Sequence, residues 1–399
     1  MNKRIILAIE TSCDETAASL VQAEEEADSF QIEILSNVVA SQIDIHKKWG
    51  GVWPELASRA HLEAMIPVLE QALEPLEGIK NNESRIKNEL PNSLFLIPDS
   101  VNALAVTQGP GLIGSLLMGT ETANILGSIY KKPIIAVNHL EGHVYSAFAE
   151  YKPSAISDQQ SDINNQTKKL NPDGWQLNAK IPKTGIFPIL ALVVSGGHTS
   201  LILMHDHLKY KTVAQTIDDA AGEAFDKVAK LMELGYPGGP LIERLAQKGA
   251  DGTQTNADKY KLPIAMPNSL DFSFSGLKTA VLYLTKDVKS GKSLDYNKAD
   301  LAASFQKTVV DTLILKTRKA IEEYQPKTVI LSGGVSANSY LRKRFSRELN
   351  SKSLPEESIL IPPKNLSTDN AVGIAIASAL KTSSSNYVEA DPNLKLSSS

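Results

Sequence analysis

The sequence predicts a two-lobed α/β protein whose lobes are copies of one strand–turn–strand–helix plan, and two observations carry that prediction. The first is a repeated opening. Arg4–Glu10 is an apolar run that passes through a small polar turn, Thr11 to Thr16, into Ala17–Val21. Pro188–Val194 does the same through Ser195-Gly196-Gly197-His198-Thr199 into Ser200–Met204. Each reads as strand, tight turn, strand. The second is a repeated continuation. Val101–Val106 ends in Gln108-Gly109-Pro110-Gly111, then come a long helical pattern, a strand over Ile134–Val137 and a helix bearing two histidines. Thr328–Leu331 ends in Ser332-Gly333-Gly334, then a helix runs through Arg347, a strand follows at Ile359, and a last helix follows Asp369. On this plan residues 1–150 form the first lobe, continued by part of the C-terminal helical region, and residues 186–380 form the second. Residues 151–185 form a flexible insertion and 381–399 a disordered tail. Two segments break the pattern: 79–92 and 152–183 are polar and aperiodic, with too little apolar surface to offset the entropy of ordering them.

Composition sets ordinary bounds. At 399 residues, 42% hydrophobic and 22% charged, the chain has enough material for two cores. Every apolar run is interrupted by Gly, Pro or charge before it reaches membrane-spanning length, so no membrane partner is expected. The opening Met1-Asn2-Lys3-Arg4 leads at once into a strand ending at Glu10, which does not read as a signal peptide. The single cysteine, Cys13, excludes an internal disulfide and fits a reducing cytoplasm. With a net charge of −4, a nucleic-acid partner must meet a local basic patch or be shared with another subunit.

The segment Asn138-His139-Leu140-Glu141-Gly142-His143 carries the strongest chemical signal. Histidines four apart on a helix project from one face and can reach one cation, and neutral imidazole is a good ligand for zinc or iron. Alone, such a pair is also what ordinary surface or core histidines look like. The distant Leu366-Ser367-Thr368-Asp369-Asn370 changes that, because it follows the matching strand of the other half. Pseudo-twofold lobes would bring His139, His143 and Asp369 face to face as a two-histidine, one-carboxylate metal site.

Glycine-rich turns supply the second signal. Ser195-Gly196-Gly197, Gly235-Tyr236-Pro237-Gly238-Gly239-Pro240 and Ser332-Gly333-Gly334 each end an element, where backbone N–H groups can approach an anion. Their spread over matching lobes suggests a nucleotide, although none has the spacing of a P-loop or a Rossmann turn. Asp226, on a helix with apolar neighbours, could accept ribose hydroxyls or serve in a surface ion pair.

Taken together, these segments resemble the universal tRNA threonylcarbamoyladenosine transferase family in its bacterial TsaD form. The resemblance runs through Ile9–Thr16, Gly50–His61, Gly109–Leu112, His139–His143, Val194–Thr199, Asp218–Lys227, Tyr236–Pro240, Phe274–Thr279, Ser332–Val335 and Thr368–Ala371. It implies an actin/Hsp70/sugar-kinase type fold. It also implies transfer of a threonylcarbamoyl group from threonylcarbamoyl-adenylate to the N6 amine of the adenosine 3′ of the anticodon, in tRNAs reading codons that begin with A. Carried over residue by residue, His139, His143 and Asp369 would hold one iron ion, or zinc. Val193, Val194, Ser195, Gly196 and Gly197, with Asp226, Gly239, Glu243 and Asn338, would bind the adenylate. Asp14 and Glu15 are candidates for removing the amine proton. Glu243 stands where relatives usually carry Asp, and Leu366-Ser367 where they often carry Tyr-Cys.

The same resemblance implies two partners, a smaller homologue of the same fold, TsaB, and the ATPase TsaE. The strip Gly119, Ala123, Gly127 along the helix after Ser115 lets another helix approach closely, either the chain's own helix over Pro54–Leu73 or, as the resemblance favours, TsaB. Cys13 is expected to be structural, because Asp14 and Glu15 beside it raise its pKa. A zinc peptidase is disfavoured, since Leu140 stands where H-E-x-x-H requires glutamate. An ATPase or small-molecule kinase of the same fold is the alternative function, though it would have no need of the histidine pair.

Overall fold

The computed structural model describes residues 3–77, 97–153, 175–247, 254–286, 294–350 and 354–396. The segment 79–92 lies outside them, as do residues 154–174 of the second polar segment. In chain order the first half contains strands β1 (Arg4–Glu10), β2 (Glu15–Glu25) and β3 (Ser29–Ser41), then helices α1 (Ile43–His46) and α2 (Pro54–Glu77). Next come β4 (Ala103–Gly109), α3 (Ile113–Tyr130), β5 (Ile134–Asn138), α4 (His139–Ser146), β6 (Ala149–Pro153) and β7 (Trp175–Pro182). The second half opens with β8 (Ile189–Val194), β9 (Thr199–Asp206) and β10 (Lys209–Gln215). Helices α5 (Ala221–Leu231), α6 (Gly238–Gln247), α7 (Ser275–Thr285) and α8 (Lys298–Tyr324) follow. The chain closes with β11 (Thr328–Ser332), α9 (Ser339–Leu349), β12 (Ile359–Leu360) and α10 (Ala371–Leu380).

These elements form two compact units. Unit 1 comprises Met1–Gln42, Pro54–Lys183 and Asp369–Lys395; unit 2 comprises Ile43–Trp53, Thr184–Thr368 and Leu396–Ser399. The sheet of unit 1 has the order β5-β4-β1-β2-β3-β7-β6, and that of unit 2 the order β10-β9-β8-β11-β12. In unit 1, β1 runs antiparallel to β2 and parallel to β4, and β4 runs parallel to β5. In unit 2, β8 runs antiparallel to β9 and parallel to β11, and β11 runs parallel to β12. Read from the β5 and β12 ends, the first five strands of each sheet share one order and one set of directions. The two-unit α/β fold and its duplication are therefore present strand for strand.

Each unit has its own core. Leu7 and Ile9 of β1 pack with Met65 and Leu69 of α2 and with Ala123 and Leu126 of α3. Because side chains alternate along a strand, Ile6 and Ala8, fully buried, point to the opposite face. Helix α10 is buried at all ten of its residues and packs on β1, β2 and α4, as a helix apolar on every side must. In unit 2, Leu190, Leu192 and Val194 of β8 join Phe225 of α5 and Phe305 of α8, whose rings meet edge to face at 5.2 Å.

The structure corrects four expectations. Asp369 and α10 group with unit 1, so the three metal-ligand candidates belong to one unit instead of facing each other from two. The cause is packing: α10 has no polar side to leave in solvent and covers β1 and β2. Within 151–185, Trp175–Pro182 is not loop but strand β7, bonded to β3 and β6. The stretch after Leu380 is also ordered where described. Ser385 exchanges backbone hydrogen bonds with Ile134 at 2.8 Å each way, and Val388 is buried between the bonds its backbone makes to the Asn124 side chain. Finally, the strip on α3 faces inward. Ala123 is fully buried, a Cβ on Gly119 would overlap Thr11 Oγ1, and one on Gly127 would lie 2.8 Å from Ile134 Cδ1. What α3 exposes instead is Ile113, Leu117, Ile125 and Ile129. Among the described residues no helix is long and apolar enough to cross a membrane.

Candidate active site

Strand β5 runs straight into α4, and the junction is capped from both sides. Asn138 Oδ1 accepts the Leu140 N–H at 2.9 Å, while Glu141 Oε2 accepts the Asn138 N–H at 3.1 Å, a capping box that fixes where the helix begins. His139 is thus the first helical residue, and His143 stands one turn on. Lys381, just past α10, donates to Ala136 O at 3.0 Å and pairs with Glu141 at 2.7 Å, tying α10 to α4. Between the two helices the backbones nearly touch. A Cβ on Gly373 would overlap Gly142 O, and one on Gly142 would lie 2.6 Å from Ile374 Cδ1. Glycine at both positions lets the start of α10 come close enough for Asp369 to meet the histidines.

The three predicted ligands do converge. His139 Nε2 lies 3.7 Å and His143 Nε2 3.4 Å from Asp369 Oδ1, and the candidate ligand atoms all fall within 4.8 Å of one another. Glu10, Gly142, Asn370 and Ile374 complete the walls of a small cavity. His143 Nε2 is buried with no hydrogen-bond partner among the described residues. An orphaned imidazole nitrogen beside a carboxylate is costly unless something completes it. A cation fits this set, because two imidazoles and one carboxylate suit zinc or iron(II).

The surroundings favour positive charge as well. His139 Nδ1 lies 3.1 Å from both Glu10 Oε2 and Ser12 Oγ. A proton held at Nδ1 by Glu10 leaves Nε2 free as a ligand, the usual arrangement of a carboxylate behind a metal-binding histidine. Glu10 is nearly inaccessible, and its remaining lone pairs accept from the Ser12 N–H at 2.5 Å and Thr107 Oγ1 at 2.7 Å. Burial works against its ionisation, yet His139 outweighs it and lowers the carboxyl below its ordinary value. Burial likewise opposes charge on His139, but the Asp369 and Glu10 carboxylates lift it to about 9. Glu15 is pushed well up by burial, then by Asp14 and Asp369. Burial also raises the Cys13 thiol well above its usual range, with Asp14, Asp369 and Glu15 adding to it. Four carboxylates, Glu10, Asp14, Glu15 and Asp369, therefore act on one another around two imidazoles. Glu10 and Ser12 are site residues that the sequence analysis passed over. The visible signal was a glutamate closing an otherwise apolar strand.

Asp14 and Glu15 leave the β1–β2 turn, which neighbouring helices clamp. Leu112 N donates to Ser12 O at 2.8 Å, Ser115 Oγ donates to Cys13 O at 2.9 Å, and His61 Nε2 lies 3.0 Å from that same carbonyl. Cys13 is thus held by its backbone, and the carboxylates beside its thiol raise its pKa instead of activating it.

The residues read as nucleotide ligands gather in unit 2. Val193 and Val194 end β8, and Ser195 Oγ accepts the His198 N–H at 3.1 Å to close the turn. Asp226 Oδ1 accepts the Gly238 N–H at 2.6 Å, and Glu243 Oε1 accepts the Ser339 N–H at 2.8 Å. Asn338 caps α9 through the Leu341 N–H at 2.9 Å and donates to Gln306 Oε1 at 2.8 Å. Gly333, at φ 84°, sits so close to Val194 that a Cβ would lie 2.5 Å from its carbonyl. Gly196, Gly197, Gly239 and Gly334 have nothing within 4 Å of a Cβ position. The hydroxyls of Ser332 and Ser336 are buried without hydrogen-bond partners among the described residues.

Comparison with known proteins identifies what this arrangement belongs to. The family profile described as TsaD, tRNA N6-adenosine threonylcarbamoyltransferase, matches residues 33–157 and 173–376. The chain belongs to that family. A tRNA N6-adenosine threonylcarbamoyltransferase of Dehalococcoides mccartyi (strain BAV1) is 44% identical over 371 residues, covering 93% of this chain and 91% of the relative. One from Clostridium perfringens (strain SM101 / Type A) is 41% identical over 403 residues and 99% of both chains. Among solved structures, full-length HypF in its phosphate- and nucleotide-bound form aligns with 94% of this chain and 46% of its own. Its TM-score is 0.47 at 13% identity, too distant a likeness to bear on function. The chain is accordingly a transferase of tRNA modification, and its His139, His143 and Asp369 form a possible metal site.

Proposed function

We propose that this chain carries a threonylcarbamoyl group from threonylcarbamoyl-adenylate to the N6 amine of the adenosine 3′ of the anticodon, in tRNAs reading codons that begin with A. The observation that supports it most is family membership over nearly the whole chain, together with convergence of His139, His143 and Asp369. In the reaction N6 attacks the carbamoyl carbon, the bond from that carbon to the phosphate oxygen breaks, and AMP leaves with the electron pair. The amine proton passes to a base, for which Asp14 and Glu15 are the candidates; burial and the neighbouring carboxylates raise the Glu15 carboxyl.

His139 and His143, through Nε2, and Asp369, through its carboxylate, would hold iron, or zinc in its place. Such an ion supplies Lewis acidity and fixes the orientation of substrate oxygens. Glu10 would keep the His139 proton on Nδ1. In unit 2, backbone N–H groups of the turn Val193 to Gly197 and of Gly239 would receive the adenylate phosphate. Asp226, Glu243 and Asn338, with the open glycines beside them, would accept and donate to the rest of the nucleotide. Glu243 reaches the Ser339 N–H despite its extra methylene relative to aspartate. Ser367 accepts from Arg342 at 2.6 Å, so its hydroxyl is used within unit 2.

The tRNA substrate supports a cytoplasmic setting, with TsaB and TsaE as partners. For TsaB the fitting surface is the apolar stripe of Ile113, Leu117, Ile125 and Ile129 on α3, extended by Leu62 and Ile66 on the neighbouring α2. A kinase or ATPase role is not favoured, since it has no use for the histidine pair. Nucleoside analysis of tRNA from cells depleted of this protein tests the reading. Loss of threonylcarbamoyladenosine is expected, and an unchanged level would overturn it.

A further inference from the structure

Residues 43–53 make a compact turn on the surface of unit 2: α1, a 3-10 turn over Lys47–Trp49, and the return to Trp53. Trp49 and Trp53 are 58% and 49% exposed, with ring centroids 5.2 Å apart and planes tilted by 43°. Two of the chain's three tryptophans therefore stand together in solvent. A scattered exposed aromatic needs no explanation, but a paired one keeps a large apolar surface available for contact.

The pair is held from beneath. His46 is fully buried, and its Nδ1 accepts the Trp53 N–H at 3.2 Å. Gly50, at φ 69°, donates its N–H to Lys47 O at 3.3 Å and folds Trp53 back toward Trp49. The rings are thus presented before any ligand arrives, which lowers the ordering cost of binding. Beside them Lys47 and Lys48 are exposed, and Asp44 is the turn's single acid. Residues 43–53 thus carry two lysines against one aspartate, with Glu55 the next acid along the chain, in a sequence whose net charge is −4.

We propose that this turn is a stacking platform for single-stranded RNA, receiving unpaired bases of the substrate tRNA's anticodon loop. The proposal rests on the transfer activity proposed above. Unstacked loop bases seat on aromatic rings whatever their identity, and adjacent lysines meet the phosphates between them. Consecutive exposed lysines fit a polyanion better than a protein, because lysine is depleted at the centres of protein interfaces. Stacking on a ring face does not depend on base identity, so the platform adds affinity for the whole set of substrate tRNAs without choosing among them.

Fluorescence anisotropy of the full-length chain with a labelled anticodon stem–loop RNA tests this. W49A/W53A should weaken binding about tenfold or more, while W49F/W53F, which keeps two rings, should retain most of it. K47E/K48E should weaken binding and reduce the slope of log Kd against log salt by about 1.4, the value for two lost single-strand phosphate contacts. In a W175F background the remaining tryptophan fluorescence should quench on adding RNA, which requires no destabilising change in the turn. Unchanged RNA affinity in W49A/W53A, or no quenching in W175F, would overturn the platform. So would loss of association with partner proteins while RNA binding stays intact, since that assigns the rings to a protein interface. Failure of the two readings can be told apart. A wild-type chain that modifies tRNA while W49A/W53A binds RNA normally removes the platform alone. A wild-type chain that binds RNA through these rings but never modifies it, with its partners and adenylate present, removes the transfer activity alone.

Discussion

At His139 the two ring nitrogens have separate duties, Nδ1 toward Glu10 and Nε2 toward Asp369, and the site depends on both. Removing a first ligand leaves an incomplete set, so Asp369→Ala or His143→Ala is expected to lose bound metal and transfer activity together. Metal analysis of the purified variants beside a single-turnover assay checks this; full activity in a metal-free Asp369→Ala chain would remove the site assignment. Cys13 is expected to behave oppositely. Its thiol is half-buried, and desolvation together with Asp14, Asp369 and Glu15 holds it protonated, so it is a poor nucleophile. Cys13→Ser should keep most activity, and complete loss in a chain with unaltered circular dichroism would reopen a covalent route. The ligand triad was legible because its members follow matching strands, and chemistry of that kind leaves a pattern in residue order. Glu10 was not, since a single carboxylate has no period. Only the fold reveals that the last residue of β1 lies behind a histidine 129 positions away.

The metal candidates meet because α4 and α10 cross with glycine against glycine. Gly142 and Gly373 carry no side chain where the backbones touch, and Lys381 and Glu141 lock the far side of the crossing. Gly373→Ala is therefore expected to pry the helices apart, at a cost of about 1–3 kcal/mol of overpacking. Asp369 moves with α10, so metal affinity should fall along with the melting temperature. Thermal denaturation with and without added metal checks this, and a Gly373→Ala chain with wild-type metal content and melting temperature would contradict the crossing. Strands β1, β2, β4, β5, β8, β9, β11 and β12 were legible as apolar runs ending in turn residues. Strands β3 and β10 were not: β3 mixes Gln31, Glu33, Ser36 and Asn37 with its apolar residues, and β10 alternates with lysines. Sequence order returns part of the C-terminal helical region to the first lobe without saying which part; it is α10 that groups there. Its ten buried residues need a sheet face to cover, and unit 1 provides it.

For the whole molecule, the proposed pairing with a partner of the same fold needs a surface to carry it. The spacing of Gly119, Ala123 and Gly127 marks close helix packing, and that inference about packing holds. It could not tell an internal neighbour from an external one, because small residues serve both equally. The fold decides: that side of α3 touches Thr11 and Ile134, and Ala123 is buried. The opposite side exposes Ile113, Leu117, Ile125 and Ile129, with Ile125 57% and Ile129 61% exposed. Their separations of four and eight residues place them along one broad face of the helix, with Glu121 between Leu117 and Ile125, beside Leu62 and Ile66 of α2. Large aliphatic residues in such a row cost little in the free chain and gain roughly 1.5–3 kcal/mol each when covered. Ala123→Trp should accordingly lower the melting temperature by overfilling the core of unit 1. Ile125→Asp and Ile129→Asp should leave folding and metal content near wild type and weaken association with TsaB about tenfold or more. Size-exclusion chromatography of the mixed proteins, with melting curves of each variant alone, separates the two effects. An unaltered heterodimer peak for Ile125→Asp/Ile129→Asp would clear the stripe of this role and leave its exposed row of isoleucines to another partner.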